Sequence, residues 1–217
     1  MDFDVRKKFI NYKNMDTDLF LLNLRKFADK NKIPIVSPEV AKFLSLILDL
    51  KRPNRVLELG CAIGYSSIMM SKFLADDGLI ISIEISDKML ELANKNFVVA
   101  NIIDHVKLIS GDIKNVLPEL VAKKEKFDVV FMDGAKGQYI KILPFCLDVL
   151  NKDGLIIADD ILQEGRILKK RLEIPRRQRT IHTRMNDFLK NIFENKILES
   201  KIFGIGDGVV VCKKLTD

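Results

Sequence analysis

Carboxylate residues follow three apolar runs in this sequence, each at the point where a β-strand would end. They are Glu84, Asp133 and the adjacent pair Asp159 and Asp160. In an open parallel α/β sheet, ligands bind in the crevice beyond the carboxyl ends of the strands. Apolar runs that each stop on a carboxylate therefore predict a binding site at that edge. The residue types suit a ribose, held by Glu84, and a divalent metal, held by the aspartates.

The aspartates and a nearby lysine have the composition of a metal-assisted catalytic site. Asp133 and Lys136 follow one strand, and Asp159 and Asp160 follow the next. Hard carboxylate oxygens favour Mg²⁺, which takes about six oxygens and would leave positions for two vicinal oxygens of a substrate. Coordination lowers the pKa of a hydroxyl, and Lys136 can take the departing proton. In the alternative interpretation, Asp133 and Asp159 are helix N-caps and Lys136 is a surface lysine.

A glycine-containing turn joins the first predicted strand to the helix that follows it. Gly60 and Gly64 have no β-carbon, so the backbone can approach a ligand closely there. The dinucleotide fingerprint G-x-G-x-x-G is not met, because Ala62 and Tyr65 occupy its second and third glycine positions. This departure argues against a nicotinamide cofactor.

Two further strand ends favour a cofactor that carries a ribose. Glu84 ends the second strand, where an acid can accept hydrogen bonds from both ribose hydroxyls. Gly111 and Asp112 follow the third strand. A glycine turn alone is explained equally well as a tight connection between strand and helix. Its conjunction with Glu84 and Asp112 favours the cofactor site.

Apolar strands alternate with helical patterns along the chain, which predicts a doubly wound α/β fold. The two last strands predict a C-terminal antiparallel hairpin, so we expect a Rossmann-like, seven-stranded, mostly parallel sheet. The predicted strands are residues 55–59, 79–83, 106–110, 127–132, 155–158, 200–203 and 209–213. The predicted helices are residues 16–28, 38–50, 65–75, 87–100, 113–123, 139–150 and 185–195.

The bulk composition is that of one folded globular domain. The chain has 217 residues, of which 47% are hydrophobic and 30% charged, so it can bury a full core. We expect residues 1–50 to form a helical cover and residues 51–217 the α/β core. Three cysteines without metal-ligand spacing suit a reducing cytoplasm. No apolar run approaches the roughly 18 residues of a membrane span, and the charged start predicts no signal peptide, so we expect no membrane partner.

A basic segment follows the predicted metal ligands directly. The chain carries a formal net charge of +6, and residues 166–184 contain one acid, Glu173, among eight arginines and lysines. Such a run is usually a solvated helix face or loop. Its position beside the predicted site indicates an anionic partner.

Together these motifs resemble those of the class I S-adenosylmethionine-dependent O-methyltransferases, in particular the metal-dependent catechol and caffeoyl-coenzyme-A type. The resemblance implies S-adenosylmethionine and Mg²⁺ as cofactors and Lys136 as the catalytic base. It implies metal binding by Asp133, Asp159 and Asp160, although the family commonly has Asn at the position of Asp160. The implied cofactor contacts are Val36, Gly60, Ser66, Glu84, Gly111, Asp112 and Asp133.

Within that family, the segments after Asp160 look like those of the bacterial tRNA 5-hydroxyuridine methyltransferases, which make 5-methoxyuridine at the wobble position. 5-Hydroxyuridine offers vicinal oxygens as a catechol does, and an unpaired anticodon base can be splayed into a pocket. We expect the tRNA anticodon loop as a partner, a homodimer, and phosphate contacts from four arginines. These are Arg176, Arg177, Arg179 and Arg184.

Two other functions stay open from the sequence. The first is methyl transfer to a small catechol or phenylpropanoid, against which the basic segment argues. The second is a noncatalytic cofactor-binding or RNA-binding module in which the acids are only structural. His182 is expected to pack or to face a phosphate, and Tyr139 suits either substrate stacking or a core position.

Overall fold

A computed structural model of the chain describes residues 8–10 and 12–216. Its seven strands form a single sheet. They are β1 (Arg55–Leu59), β2 (Leu79–Glu84), β3 (Val106–Ser110), β4 (Phe127–Met132), β5 (Leu150–Ala158), β6 (Leu198–Phe203) and β7 (Val209–Lys214). The strand order is β3-β2-β1-β4-β5-β7-β6. The first five strands are parallel, and β7 runs antiparallel to both β5 and β6.

Helices lie on both faces of this sheet. They are α1 (Leu19–Asn31), α2 (Pro38–Lys51), α3 (Tyr65–Ser71), α4 (Asp87–Val99), α5 (Ile113–Ala122), α6 (Tyr139–Val149) and α7 (Arg179–Glu194). Short 3-10 turns occur at Lys136–Gln138, Arg166–Leu168, Arg171–Glu173 and Arg176–Gln178. The predicted α/β fold, with its mostly parallel sheet and C-terminal antiparallel hairpin, is confirmed.

Alternate residues of each strand belong to two hydrophobic cores, one on each face of the sheet. On β1, Val56 packs with α1 to α4, whereas Leu57 packs with α5 to α7. The central strands are therefore buried on both sides, which explains their continuous apolar sequences. The two N-terminal helices share a core with the sheet, and the loop between them reaches the site described below.

Several predicted boundaries were wrong by a few residues, for identifiable reasons. Helix α1 begins at Leu19, not at residue 16, because the Asp18 carboxylate accepts hydrogen bonds from the backbone of Phe20 and Leu21 and caps the helix. Helix α7 begins at Arg179, six residues before the predicted start, so part of the basic segment is helical. Helix α3 ends earlier, at Ser71, and β5 begins earlier, at residue 150.

Among the residues that the structure describes, no helix is long and apolar enough to cross a membrane. The expectation of no signal peptide depends on the charged residues at the start of the sequence. Part of that start, residues 1–7, lies outside the described residues.

Candidate active site

The site lies beyond the carboxyl ends of β1 and β4, where the strand order reverses. The glycine turn after β1 forms its floor. Gly60 has φ +104°, and a β-carbon there would lie 2.6 Å from the carbonyl oxygen of Asp133. Gly64 has φ +82° and precedes the first residue of α3. Only glycine fits the left-handed turn so close to the β4 backbone.

A cavity of about 400 Å³, here called the glycine-loop cavity, opens above this turn. Six of the seven predicted cofactor contacts line it: Gly60, Ser66, Glu84, Gly111, Asp112 and Asp133. Apolar side chains that the sequence reasoning missed complete the wall, namely Ile33, Ile35, Ile85, Met89 and Ile113. Ile33, Ile35 and Ile85 lie in loops and Met89 and Ile113 lie in the first turn of a helix, where apolar periodicity does not distinguish a cavity wall from the core.

Val36, the seventh predicted contact, has a different position. It is buried, and its carbonyl oxygen accepts a hydrogen bond of 2.8 Å from Arg25 Nη1. The residues just before it line the cavity instead, from Ile33 to Ile35. The expected contact at Val36 therefore stays a prediction, and the neighbouring segment is what reaches the cavity.

Glu84 organises the glycine turn as well as facing the cavity. Its Oε2 accepts a hydrogen bond of 2.9 Å from the backbone nitrogen of Ala62, which has a left-handed φ of +46°. Its Oε1 accepts from the backbone nitrogens of Ile85 and Ser86. A carboxylate has about four lone-pair sites, so one remains, on Oε2, for a ribose hydroxyl.

Asp112 also has a structural role beside its place in the cavity. Its Oδ1 accepts a hydrogen bond of 3.0 Å from the backbone nitrogen of Lys114, which makes Asp112 the N-cap of α5. The N-terminus of α5 therefore lies at the cavity wall, because Asp112 and Ile113 both line it.

A second, wider cavity of about 970 Å³, here called the outer cavity, adjoins the first. The two share one wall, made of Gly134, Ala135, Lys136, Gln138 and Asp160. The other sides of the outer cavity carry charged residues from distant parts of the chain: Glu39, Glu164, Arg166, Arg184 and Asp207. An occupant of each cavity would thus meet the other beside Lys136.

The predicted metal ligands lie together at neighbouring strand ends. Met132 and Ala158 are register partners of β4 and β5, so Asp133 and Asp159 follow in parallel. Burial raises the pKa of Asp133 well above its usual range, and the charges of Asp159 and Asp160 add to this effect. Burial also raises the pKa of Asp159 to about 7, again with help from Asp160. Neither carboxylate caps a helix, which removes that alternative.

Asp160 differs from the other two aspartates. It has a left-handed φ of +57°, and its carboxylate forms an ion pair with Lys136. Within the described residues, no group of three His, Cys, Asp or Glu side chains is arranged to hold a metal ion.

The donor chemistry nevertheless fits a hard divalent cation. Asp133 and Asp159 are enclosed carboxylates whose pKa is raised chiefly by burial and further by neighbouring acids, and a cation beside them would stabilise their charged forms. Asp160 has its charge satisfied by Lys136. Asp133 and Asp159 are therefore the residues that would hold Mg²⁺ in the arrangement described.

The four arginines predicted to contact RNA divide into three groups. Arg184 lines the outer cavity and donates a hydrogen bond of 3.2 Å to the carbonyl oxygen of Gly137. Arg179 instead donates to the carbonyl oxygens of Ile174 and Leu172, at 2.8 and 3.1 Å, and so holds the preceding turns. Arg176 and Arg177 are exposed and are not among the residues that line either cavity.

Tyr139 and His182 belong to the core. The Tyr139 hydroxyl donates to the carbonyl oxygen of Met132 at 2.8 Å, and its ring packs edge-on against Phe188 at 5.5 Å. His182 is buried and donates from Nε2 to the carbonyl oxygen of Lys169. The core alternative for Tyr139 and the packing expectation for His182 are both confirmed.

A buried acid behind the glycine turn was not singled out from the sequence. Glu58 on β1 is fully buried, and Ser67 and Ser82 donate hydrogen bonds to its Oε2. Burial raises the pKa of this carboxyl. The sequence signal for this buried acid was the position of Glu58 in the middle of an apolar strand.

Known proteins resemble this chain in both sequence and fold. A catechol O-methyltransferase from Niastella koreensis is 34% identical over 134 residues, a match that covers 61% of each chain. The chain thus spans less than two thirds of that relative's length.

Two solved structures superimpose over nearly the whole chain. A Staphylococcus aureus protein provisionally assigned as a caffeoyl-CoA O-methyltransferase matches with a TM-score of 0.88 and 24% identity, covering 97% of this chain and 99% of the other. An O-methyltransferase from Bacillus cereus in complex with SAH matches with a TM-score of 0.84 and 23% identity, covering 95% and 96%. At these identities the likeness establishes a common fold.

A protein-family model provides the family assignment. The model described as O-methyltransferase matches residues 12–215, which is nearly the full length and includes both cavities. The chain belongs to this O-methyltransferase family.

Proposed function

We propose that this protein transfers the methyl group of S-adenosylmethionine to a hydroxyl oxygen of a substrate with two vicinal oxygens. The observation that carries the proposal is the shared wall of the two cavities, where Lys136 lies between them. The glycine-loop cavity would hold the donor, as supported by the SAH complex of the Bacillus cereus relative. The outer cavity would hold the acceptor.

The glycine-loop cavity offers a partner for each part of the donor. Glu84 would accept a hydrogen bond from a ribose hydroxyl, and the glycine turn would lie against the methionine part. Met89 and Ile113 offer an apolar surface for the adenine, since aromatic bases pack well on such side chains.

Methyl transfer then requires a nucleophilic oxygen in line with the sulfonium. The new bond forms between this oxygen and the methyl carbon, the carbon–sulfur bond breaks, and the donor leaves as a neutral thioether. Lys136 would take the hydroxyl proton when neutral, or stabilise the oxyanion as an ammonium. A bound Mg²⁺ would supply Lewis acidity toward the hydroxyl. The cavity walls orient the two reactants, which contributes a large share of the acceleration.

The finer proposal is that the acceptor is 5-hydroxyuridine at the wobble position of tRNA. The size of the outer cavity suits a base splayed out of an anticodon loop, and Arg166 and Arg184 on its rim suit the flanking phosphates. Arg176 and Arg177 are exposed nearby on the same segment and extend this charge outward. Such a role agrees with the cytoplasmic location that three buried, unpaired cysteines favour.

The test is methylation of tRNA from cells that lack the protein. Purified protein, S-adenosylmethionine and Mg²⁺ should convert 5-hydroxyuridine to 5-methoxyuridine, as measured by mass spectrometry of the nucleosides. Unchanged nucleosides, with protein that binds the donor, would exclude the tRNA substrate while leaving the methyltransferase proposal intact.

The second candidate substrate is a small catechol, because the Niastella koreensis relative is a catechol O-methyltransferase. A catechol presents the same vicinal oxygens to the shared wall. Charge reversal at Arg176 and Arg177 separates the candidates, since it should lower the rate on tRNA and leave the rate on a catechol unchanged. The expected homodimer stays a prediction, which sedimentation at several concentrations would test.

A further inference from the structure

A buried polar network lies beside the glycine-loop cavity and takes no part in the chemistry proposed above. Arg25 on α1 is its centre. Arg25 Nε donates to Asp16 Oδ2 at 3.1 Å, and another guanidinium nitrogen donates to the Tyr65 hydroxyl. The Tyr65 hydroxyl in turn donates to the Asp16 carboxylate at 2.8 Å. The guanidinium also lies 4.5 Å from the centre of the Tyr65 ring.

The network joins two walls of the cavity. Tyr65 is the first residue of α3 and directly follows the glycine turn. Arg25 Nη1 donates to the carbonyl oxygen of Val36 at 2.8 Å and so holds the end of the segment whose residues Ile33 to Ile35 line another part of the cavity. One guanidinium therefore contacts both the residue that follows the glycine turn and the residue that ends this segment.

The surroundings make the geometry of this network well defined. Arg25 is 8% exposed and Tyr65 is 1% exposed. The Arg25 charge is balanced by Asp16, whose side chain is also buried. Hydrogen bonds between buried groups permit few alternative arrangements, because each rearrangement would leave a donor or acceptor unpaired.

We propose that Asp16, Arg25 and Tyr65 are positioning residues that set the width of the glycine-loop cavity and thereby its affinity for the donor. The inference rests on the proposed function in one respect, namely that the glycine-loop cavity binds an adenosyl sulfur compound. The competing explanation is that the network merely docks α1 onto α3.

The chain offers a matched control for that explanation. Lys72, at the end of α3, forms an ion pair with Asp18, the N-cap of α1. This pair joins the same two helices, but it is about 40% exposed and no hydrogen bond links it to residues 33–36 among the described contacts. Lys72→Met therefore weakens helix docking without changing the contact to Val36.

The experiment measures the affinity for S-adenosylhomocysteine by isothermal titration calorimetry, with the melting temperature of each variant measured in parallel. Tyr65→Phe deletes one hydroxyl and keeps the ring, and it should weaken binding about tenfold, as expected for one buried hydrogen bond. Arg25→Lys keeps the charge opposite Asp16 but loses the guanidinium fork, and should weaken binding by a similar factor. Lys72→Met should stay within about twofold of the wild type.

The outcomes separate the two proposals. Wild-type affinity in Tyr65→Phe and Arg25→Lys, with lowered melting temperatures, would show that the network is only structural. Equal weakening in Lys72→Met would assign the effect to helix docking and also overturn the inference. If the wild-type protein itself does not bind the probe, the donor assignment of the proposed function fails instead.

Discussion

Lys136 and Asp160 form an ion pair on the wall that separates the glycine-loop cavity from the outer cavity. Their side chains are 34% and 35% exposed, so the pair contributes little to folding. Its consequence is electrostatic, because it holds a positive charge where donor and acceptor would meet. The same charge lowers the pKa of Asp133 and Asp159, and thus partly offsets the rise that burial causes.

Substitution of Lys136 should affect turnover far more than donor binding. Lys136→Met should lower kcat by about 10²-fold to 10⁴-fold, the usual range for loss of a general base, and change the affinity for S-adenosylhomocysteine little. Steady-state kinetics and calorimetry would measure the two quantities. Lys141→Met, an exposed lysine on α6, is the control. A kcat near the wild-type value in Lys136→Met would remove Lys136 from the chemistry.

Metal binding should depend on Asp133 and Asp159 more than on Asp160. Asp133→Asn and Asp159→Asn should each weaken Mg²⁺ binding by at least about tenfold, since each removes a charged oxygen ligand. Asp160→Asn should retain binding, because the Asp160 carboxylate is paired with Lys136 and an amide oxygen can still coordinate. Calorimetry with Mg²⁺ checks this, with exposed Asp148→Asn as control. Loss of binding in Asp160→Asn alone would reverse the assignment.

The raised pKa of Asp159 predicts a pH-dependent stability. The folded pKa is about 7 against a usual value of 3.8, so between these values the folded state binds the extra proton. The contribution of Asp159 to stability should therefore be fully present below about pH 4 and be lost as pH rises toward 7, by at most about 4 kcal/mol. Thermal melting between about pH 5 and pH 8 measures it. In Asp159→Asn, the melting temperature should depend less on pH and should be higher than that of the wild type at the alkaline end. A steeper dependence on pH in this variant would contradict the interpretation.

Substitutions of the two arginines of α7 should have different effects, one on substrate binding and the other on stability. Arg184→Gln should raise the KM for tRNA about tenfold with little change in melting temperature, because Arg184 lines the outer cavity. Arg179→Gln should lower stability by about 1–3 kcal/mol, because it loses two hydrogen bonds to backbone carbonyls. A double substitution of Arg176 and Arg177 should mainly reduce the salt dependence of RNA binding. Equal effects of Arg184→Gln and Arg179→Gln on KM would contradict this division.

The glycine turn should not tolerate a side chain at Gly60. Gly60→Ala places a β-carbon 2.6 Å from the Asp133 carbonyl oxygen at a left-handed φ, so we expect a loss of about 1–3 kcal/mol in stability and weaker donor binding. Gly204→Ala is the control, since nothing lies within 4 Å of a β-carbon there. Melting temperatures of the two variants, with donor titrations, measure the difference. Wild-type stability in Gly60→Ala would mean that the turn rearranges readily.

The sequence by itself determined the sheet, the glycine turn and the acidic edge. Apolar runs and helical periodicity are local signals, and parallel strands place their carboxyl ends at one edge, so Glu84, Asp133 and Asp159 had to lie along the same edge of the sheet. Helix starts were less predictable, as at Arg179, because charged residues fit a solvated helix as well as a loop.

Only the tertiary structure decided which side chains meet across the chain. Arg25 and Tyr65 are 40 residues apart, and Lys136 and Asp160 are 24 apart. The tertiary structure also decided that Arg184 lines a cavity, whereas Arg179 donates hydrogen bonds to the turns that precede it. Such contacts depend on rotamers and on the packing of distant elements, and neither leaves a periodic signal in the sequence.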